Sequence, residues 1–551
     1  MQETVKTPLE MLDHWVDVQG DKIYLRQPIN GQYVDFTWQQ VKQKAQQLAG
    51  GLRHLGLKPG DKVAILSKNC AEWFITDFAL MMGGYVSVPI YPTANASTIS
   101  YVIKHSEAKA VFVGKLDYWK DQEPGVGGDI LRLAMPYDTM PAQYQWDALL
   151  SVGEPLTDYP YPELDSLMTL IYTSGSTGNP KGVMHSYAGF CQTAEQVGKH
   201  LNGSSDDRVL SYLPLAHITE RTYIQGSSFY IGGTVSFAES LDTFVDDVKR
   251  AKPTLFLSVP RLWTVFQQNV IAKIGATKLN VLLSIPILGG IVAKKIRTEL
   301  GLNHARVLGC GSAPVSPLLL QWYRRIGMNI TEAWGMSENC AYATLNYPFQ
   351  ANKIGTVGKA GLNCDVKIGE GDELLFKSPG NMLGYYKQPE ATAETFTEDG
   401  YLRTGDCASI DADGYVNITG RVKDNFKSAK GKYIAPVPIE RKLAQNTNIE
   451  LMCVIGSGLP HPVALIQLSD AAASADRETI RASLKETMDL VNPTLESHEI
   501  LDAMVVVSEK WEIENDVLTP TLKIKRHVLE QRFNELVDGQ RKAVVKWQDE
   551  L

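Results

Sequence analysis

No C-x-x-C pair occurs in the 551 residues, and the seven cysteines are scattered from Cys70 to Cys453. An odd, dispersed set argues against a disulfide framework or a cysteine zinc site and suits a reducing, cytoplasmic compartment. Basic charge is not in excess: 54 Lys and Arg stand against 62 Asp and Glu, for a net charge of −8. An acidic balance offers no general grip on nucleic acid or on an anionic membrane, so nucleic acid is not expected as a partner. An anionic substrate stays open, because a local basic pocket can exist on an acidic protein. Long apolar runs are also missing. The most apolar stretch, residues 279–292, is broken by Pro286 and two glycines and is followed by Lys294 and Lys295. It is too short to span a bilayer. It reads first as buried core; the alternative is a surface touching lipid or a partner, a peripheral contact at the inner membrane face. The N-terminal residues have no basic region followed by an apolar run, so no secretory signal is expected. Low-complexity linkers and internal repeats are absent as well.

What is present is ordinary for a globular protein: 44% hydrophobic and 21% charged residues. The length exceeds one compact core and predicts two to four units. An amphipathic helix begins at Thr37, with Trp38, Val41, Ala45, Leu48, Leu52 and Leu55 at three- and four-residue steps and Gly56 at its end. Residues 61–67 read as a strand, 71–84 as a helix, 85–90 and 110–113 as strands. The pattern recurs at 167–172, 255–258 and 306–308. Such alternation implies an α/β protein with a largely parallel sheet flanked by helices. After about residue 362, short strands and glycine turns suggest a smaller β unit. From about Lys423 a last segment carries its own helices and strands, at 439–444, 451–455 and 463–468.

Residues 172–182 read Tyr-Thr-Ser-Gly-Ser-Thr-Gly-Asn-Pro-Lys-Gly and follow an apolar strand. Glycines at 175 and 178 let backbone N–H groups turn inward onto an anion. Thr173, Ser174, Ser176 and Thr177 add hydroxyl donors, and Lys181 adds a positive charge. These are the parts of a polyphosphate cradle. The ordinary nucleotide P-loop, G-x-x-x-x-G-K-[ST], does not fit: Pro180 stands where its second glycine would be and Gly182 where its Ser/Thr would be. A kinase or common ATPase is therefore disfavoured.

This stretch resembles the signature of the adenylate-forming, AMP-binding superfamily, which includes acyl-CoA synthetases, peptide-synthetase adenylation domains and luciferases. Further stretches match in order. Residues 309–314 (Gly-Cys-Gly-Ser-Ala-Pro) are similar to the turn lining the adenine and acyl pockets, which implicates Gly311, Ser312 and Ala313; as a bare pattern a simple turn looks the same. Residues 331–338 (Thr-Glu-Ala-Trp-Gly-Met-Ser-Glu) resemble the motif that places Glu332, Ala333, Trp334, Gly335, Met336 and Ser337 at the nucleotide. Trp334 replaces the commoner Tyr as the ring for adenine, and Ser337 the commoner Thr as the hydroxyl for the α-phosphate. The resemblance implies Mg²⁺ on Glu338, with Thr173 as the second ligand. Asp406 and Arg421 match the ribose-binding positions. Residues 519–526 (Thr-Pro-Thr-Leu-Lys-Ile-Lys-Arg) place the catalytic lysine at Lys523. His217 matches a pocket-lining residue near the carboxylate; a satisfied structural histidine is the alternative reading.

The family fold that this resemblance implies is a large N-terminal domain of parallel sheets with flanking helices plus a small β unit, here residues 1–422. A small mobile α+β domain follows, residues 423–551, hinged at Lys423. The implied reaction uses ATP, with CoA as co-substrate. Lys523, Glu338, Lys181 and His217 would serve adenylation; after rotation of the small domain, the loop with Lys427 and Gly431 would face the site. Stretches such as 213–221, 258–263, 308–316, 384–392 and 519–526 look most like long-chain fatty acyl-CoA synthetases, so a medium- or long-chain fatty acid is the expected substrate. The alternative is another carboxylic acid, aryl or other, or a carrier-protein thiol as acceptor. Keeping Lys181, Glu338, Asp406, Arg421 and Lys523 together argues against a non-catalytic relative. Chain length and oligomeric state, monomer or homodimer, are not readable from these motifs.

Overall fold

Thr37 caps its helix on both sides. Its hydroxyl accepts from Gln40 N at 3.2 Å, and Gln40 Oε1 accepts from Thr37 N at 2.9 Å. The helix runs Trp38–His54 and buries Trp38, Val41, Ala45, Leu48 and Leu52 on one face, the spacing that the sequence predicts. Gly56, at φ +88°, turns the chain out of it. These details come from a computed structural model that describes residues 5–137, 141–173, 179–519, 523–537 and 544–551.

The predicted α/β alternation holds. Among the described residues, one sheet has the order Gly384–Tyr385, Lys181–Ser186, Leu167–Thr173, Val86–Ile90, Lys62–Leu66, Ala110–Val113, Leu131–Ala134. Its middle and far strands are parallel, and all four residues of Ala110–Val113 are buried, as expected for strands covered on both faces. Its near edge is antiparallel, because a short connection from Thr173 to Lys181 can only reverse the chain. A second sheet runs Leu255–Ser258, Val307–Cys310, Ile330–Trp334 in parallel, then Thr344–Leu345 and Lys359–Ala360 antiparallel. The architecture is thus mixed at its edges rather than uniformly parallel.

The small β unit is an antiparallel sheet of Asp365–Ile368, Glu373–Lys377, Leu402–Ile410 and Val416–Arg421. Beyond it stands a separate C-terminal domain. There Ile449–Ile455 and Val463–Leu468 pair antiparallel, while Ala503–Val506 and Val544–Trp547 add parallel strands. Helices Pro436–Leu443 and Arg477–Val491 cover one face. Arg261, from the larger part, reaches Glu450 across the boundary at 2.7 Å.

The expectation that residues 279–292 are buried core is corrected. They form helices Ala276–Ser284 and Leu288–Glu299 around a bend. Leu279 packs into the cluster with Trp263 and Phe266, but Val281, Ile285, Ile287, Leu288 and Ile291 are exposed. A helix that is apolar on several sides has more apolar surface than one neighbouring layer can cover. All seven cysteines are free, as expected.

Candidate active site

Strands Leu167–Thr173 and Lys181–Ser186 face each other with Thr173 opposite Lys181. The two ends of the glycine-serine loop, Thr173 and Lys181, are therefore fixed on neighbouring strands of the large sheet. The loop residues Ser174, Gly175, Ser176, Thr177 and Gly178 lie outside the described residues. Gly384–Tyr385 pairs with the next strand, Tyr385 opposite Val183. That pairing brings the Tyr385 ring beneath the Lys181 ammonium, 4.6 Å from Nζ to centroid. The Tyr385 hydroxyl then donates to Glu338 Oε1 at 2.8 Å. The backbone of Glu338 is pinned separately, its carbonyl accepting from Met382 N at 2.8 Å. Burial and the Glu338 carboxylate push the Tyr385 phenol above its usual range, so it stays a donor.

The strand Ile330–Trp334 supplies the next group. Trp334 Nε1 donates to Asp406 Oδ2 at 2.8 Å. Asp406 lies directly across from Arg421 in the antiparallel pair Leu402–Ile410 and Val416–Arg421, and Arg421 Nε meets its other oxygen at 3.1 Å. One carboxylate is thus held from two sides. Beside it opens a cleft of ≈ 360 Å³ lined by Gly311, Ser312, Ala333, Trp334 and Gly335 together with Leu213, Thr219, Tyr223, Leu257, Ser258 and Ala341. Small residues are needed here. A Cβ on Gly335 would sit 2.3 Å from Ala341 O, and Ser312 holds a left-handed φ of +68°.

Other members of these motifs go elsewhere. Glu332 turns its carboxylate to Gly355 N at 2.8 Å, and burial pushes it up to about 7. Ala313 is exposed and does not line the cleft. Met336 N donates to Asn339 Oδ1 at 2.9 Å, and Ser337 opens the one-turn segment Ser337–Asn339 that carries Glu338.

Lys523 comes from the C-terminal domain, where its carbonyl accepts from Thr519 N at 2.8 Å. It stands close enough to Arg421, Asp406 and Glu338 to feel all three. Desolvation lowers its ammonium below the usual lysine range and Arg421 adds to this, while Asp406 and Glu338 oppose. His217 lies within electrostatic range of the same lysine. Burial, then Lys523, pushes its imidazole down to about 3, so it is neutral at pH 7. Its Nδ1 accepts from Thr219 N at 3.1 Å, which leaves Nε2–H as a donor. Lys427 and Gly431 are not brought to this group; both are exposed and contact their own hairpin and the turn at Gly458.

Two groups escape motif reading. Tyr385 sits in a Gly-Tyr-Tyr stretch, where only the alternation of a short edge strand hints at which ring points inward. Glu220 is buried three residues after His217 and accepts from Ser211 Oγ at 2.7 Å and Tyr212 N at 3.0 Å. Asn69 donates to the same oxygen at 3.2 Å and accepts from Leu215 N at 3.1 Å, so the loop leading to His217 is tied down. Nothing local in the sequence marks Asn69 as its partner.

The AMP-binding enzyme family model matches residues 12–386, and its C-terminal domain model matches 423–543. The chain belongs to the AMP-binding enzyme family. Membership in the adenylate-forming superfamily therefore holds, with a resemblance to long-chain acyl-CoA synthetases and the reading as an enzyme of the AMP-forming ligase class. Among curated relatives, the long-chain-fatty-acid–CoA ligase ACSBG2 of Gallus gallus is 27% identical over 97% of this chain and 81% of its own length. The peroxisomal long chain acyl-CoA synthetase 6 of Arabidopsis thaliana is 29% identical over 98% of this chain and 87% of its own. Among solved structures, an anthranilate CoA ligase in complex with anthranoyl-AMP superposes with a TM-score of 0.80 at 20% identity, covering 97% of this chain and 98% of that one. That likeness concerns the fold.

Proposed function

We propose that this chain joins a medium- or long-chain fatty acid to CoA at the expense of ATP. The observation that carries the reading is that Lys523, from the C-terminal domain, lies within electrostatic range of Asp406, Arg421 and Glu338 from the N-terminal one. A carboxylate is a poor electrophile. In the first step its oxygen bonds to the α-phosphorus of ATP, the bond to the bridging oxygen breaks, and pyrophosphate leaves with that electron pair. Charge accumulates as two anionic partners meet, and Lys523 and Lys181 offset it from two sides. Asp406 accepts from the ribose hydroxyls, with Arg421 beside it, while Trp334 offers its ring to adenine. His217, neutral and donating through Nε2, faces the acid without adding a charge.

Glu338 fits a Mg²⁺ that takes most of its oxygens from phosphates and water, since it offers one hard carboxylate and no three-residue His/Cys/Asp/Glu cluster forms among the described residues. Thr173 would be the second protein ligand. Bound there, Mg²⁺ supplies charge neutralisation on the phosphates.

In the second step the CoA thiol loses its proton to solvent, sulfur bonds to the acyl carbonyl, and AMP leaves. The two steps need different groups at one carbonyl. We infer a division at Lys423, residues 1–422 and 423–551, about which the small domain turns to exchange Lys523 for the Lys427–Gly431 loop. The supporting feature is that loop's present distance from the site's contacts, together with Gly431 at φ +72°, where no side chain crowds a passing pantetheine arm.

The acid itself rests on the fatty acyl relatives and on a second hollow. Tyr342 lines a solvent-open hollow of ≈ 210 Å³ with Gln192, Thr193 and Gln196, and its ring lies 6.5 Å from Tyr223, which lines the first cleft. The linings of the two spaces are thus neighbours through a pair of aromatic rings. The test is pyrophosphate release across acids of graded length, with and without CoA. Release that rises with chain length and a CoA-dependent thioester support the proposal; no release with any acid sinks it, and release with no thioester on CoA redirects it to another acceptor.

A further inference from the structure

Residues 260–298 hold six basic residues and no acidic one, in a chain of net charge −8. They form the helix Pro260–Ile274 and the helical hairpin Ala276–Ser284 and Leu288–Glu299. Two of the six cations are engaged: Arg261 with Glu450, and Arg297 with the Ile326 carbonyl. Lys273, Lys278, Lys294 and Lys295 are exposed, and none pairs with a carboxylate among the described residues.

Between these lysines the hairpin points apolar side chains at water. Ile287 is 85% exposed, Ile291 60% and Val281 55%. The opposite face is anchored: Leu279, Ala293 and Ile296 are buried with Trp263 and Phe266. Ile287 also holds φ +67°, a costly conformation for a β-branched residue, and no burial repays it in the free protein. A loop tip that is both apolar and strained has its apolar surface unspent.

We propose that this hairpin is a docking surface for an anionic lipid membrane, into which the 281–291 tip inserts while Lys273, Lys278, Lys294 and Lys295 meet the headgroups. Aliphatic residues framed by unpaired lysines fit an interfacial element. A protein partner fits less well, since interface cores are depleted in lysine and enriched in aromatic residues, and no Phe, Trp or Tyr occurs between residues 267 and 321. No described helix is long and apolar enough to cross a membrane, so the contact is peripheral. The same buried cluster includes Leu308 and Cys310, from the strand that leads into Gly311 and Ser312, so the tip is joined to the cleft by one packed layer. The inference does not depend on which acid the enzyme uses.

The test is co-sedimentation of the full chain with vesicles of phosphatidylcholine alone or containing about one-third phosphatidylglycerol. Anionic vesicles should retain about tenfold more protein, and high salt should weaken this. Ile287→Asp with Ile291→Asp should lower retention about tenfold at any salt. Lys278→Gln with Lys294→Gln and Lys295→Gln should lower it at low salt. Val18→Asp, at a comparably exposed apolar residue elsewhere, should bind as wild type. Melting curves by circular dichroism check that each variant is folded, and should the isoleucine pair fail, the lysine triple carries the test. Equal binding to both vesicle types, unchanged binding by the folded variants, or self-association in the absence of lipid that the isoleucine substitutions abolish would each overturn the proposal, the last in favour of a second copy of this chain.

Discussion

Trp334 donates its indole N–H to Asp406 Oδ2 at 2.8 Å, tying the strand Ile330–Trp334 to the carboxylate proposed for ribose. Trp334→Phe keeps a ring but loses this donor. A neutral-to-charged hydrogen bond is worth roughly 1.5–3 kcal/mol, so KM for ATP should rise by about tenfold or more, with kcat less affected. Steady-state pyrophosphate release at varied ATP measures it. An unchanged KM would mean that the indole does not orient Asp406.

The Lys181–Tyr385–Glu338 chain gives a second test. Tyr385→Phe keeps the ring beneath Lys181 and removes only the hydroxyl that donates to Glu338. Activity at saturating ATP should fall by roughly tenfold, with a higher Mg²⁺ concentration needed for half-maximal rate. A loss of rate with no shift in the Mg²⁺ curve would separate Tyr385 from metal binding.

Lys523 should act in one half-reaction. Lys523→Ala should lower adenylation by about 10²–10³. Thioester formation from a supplied acyl-adenylate should stay within a few-fold. Equal loss in both would contradict a lysine that leaves the site between steps. Because its folded-state pKa is lowered, the protonated form is lost earlier as pH rises. The alkaline limb of the adenylation rate should therefore fall below the ordinary lysine value of about 10.4.

Glu220 predicts a pH-dependent stability. Burial pushes its carboxyl up to about 8, against the stabilising bonds from Ser211 and Tyr212 N. Its folded pKa is raised, so the native state keeps a proton that the unfolded chain has released. Stability is then full at low pH and declines as pH rises through this window to about 8, by at most about 1.4 kcal/mol per pH unit. Glu220→Gln should flatten that slope, seen in denaturant midpoints from pH 5 to 8. A variant with the wild-type slope would place the proton elsewhere.

Tyr342 should set how long an acid is used well. Its hydroxyl lies 2.9 Å from His200 Nδ1 and accepts from Leu362 N at 2.8 Å, fixing the ring where the linings of the two spaces are neighbours. Tyr342→Ala should join them and move the optimum of kcat/KM toward longer acids. An unchanged profile would place the acyl chain along another path.

Much of the fold was legible because its signals are local. Thr37, Gln40 and the apolar steps from Trp38 to Leu52 specify a capped amphipathic helix within one short stretch. The order of the loop at 172–182, Glu338, Asp406, Arg421 and Lys523 was legible as well, since chemistry constrains which residue types can serve. Geometry was not. Glu332 shares its motif with Trp334, yet its carboxylate turns to Gly355 N, because a backbone donor distant in the chain stands beside it. Residues 279–292 looked like core because composition counts apolar side chains and not the area available to cover them.

The sequence by itself determined the family, the layered α/β order and the residue types available for phosphate, ribose and charge. Those follow from short-range pattern: period, turn chemistry and motif. Only the tertiary structure decided that Tyr385 links Lys181 to Glu338, that Tyr342 stands where the linings of two hollows are neighbours, and that the hairpin around Ile287 faces outward. Each depends on strands and helices distant in the chain meeting in space, where pairing register and the finite area of the neighbouring layer choose which side chains touch.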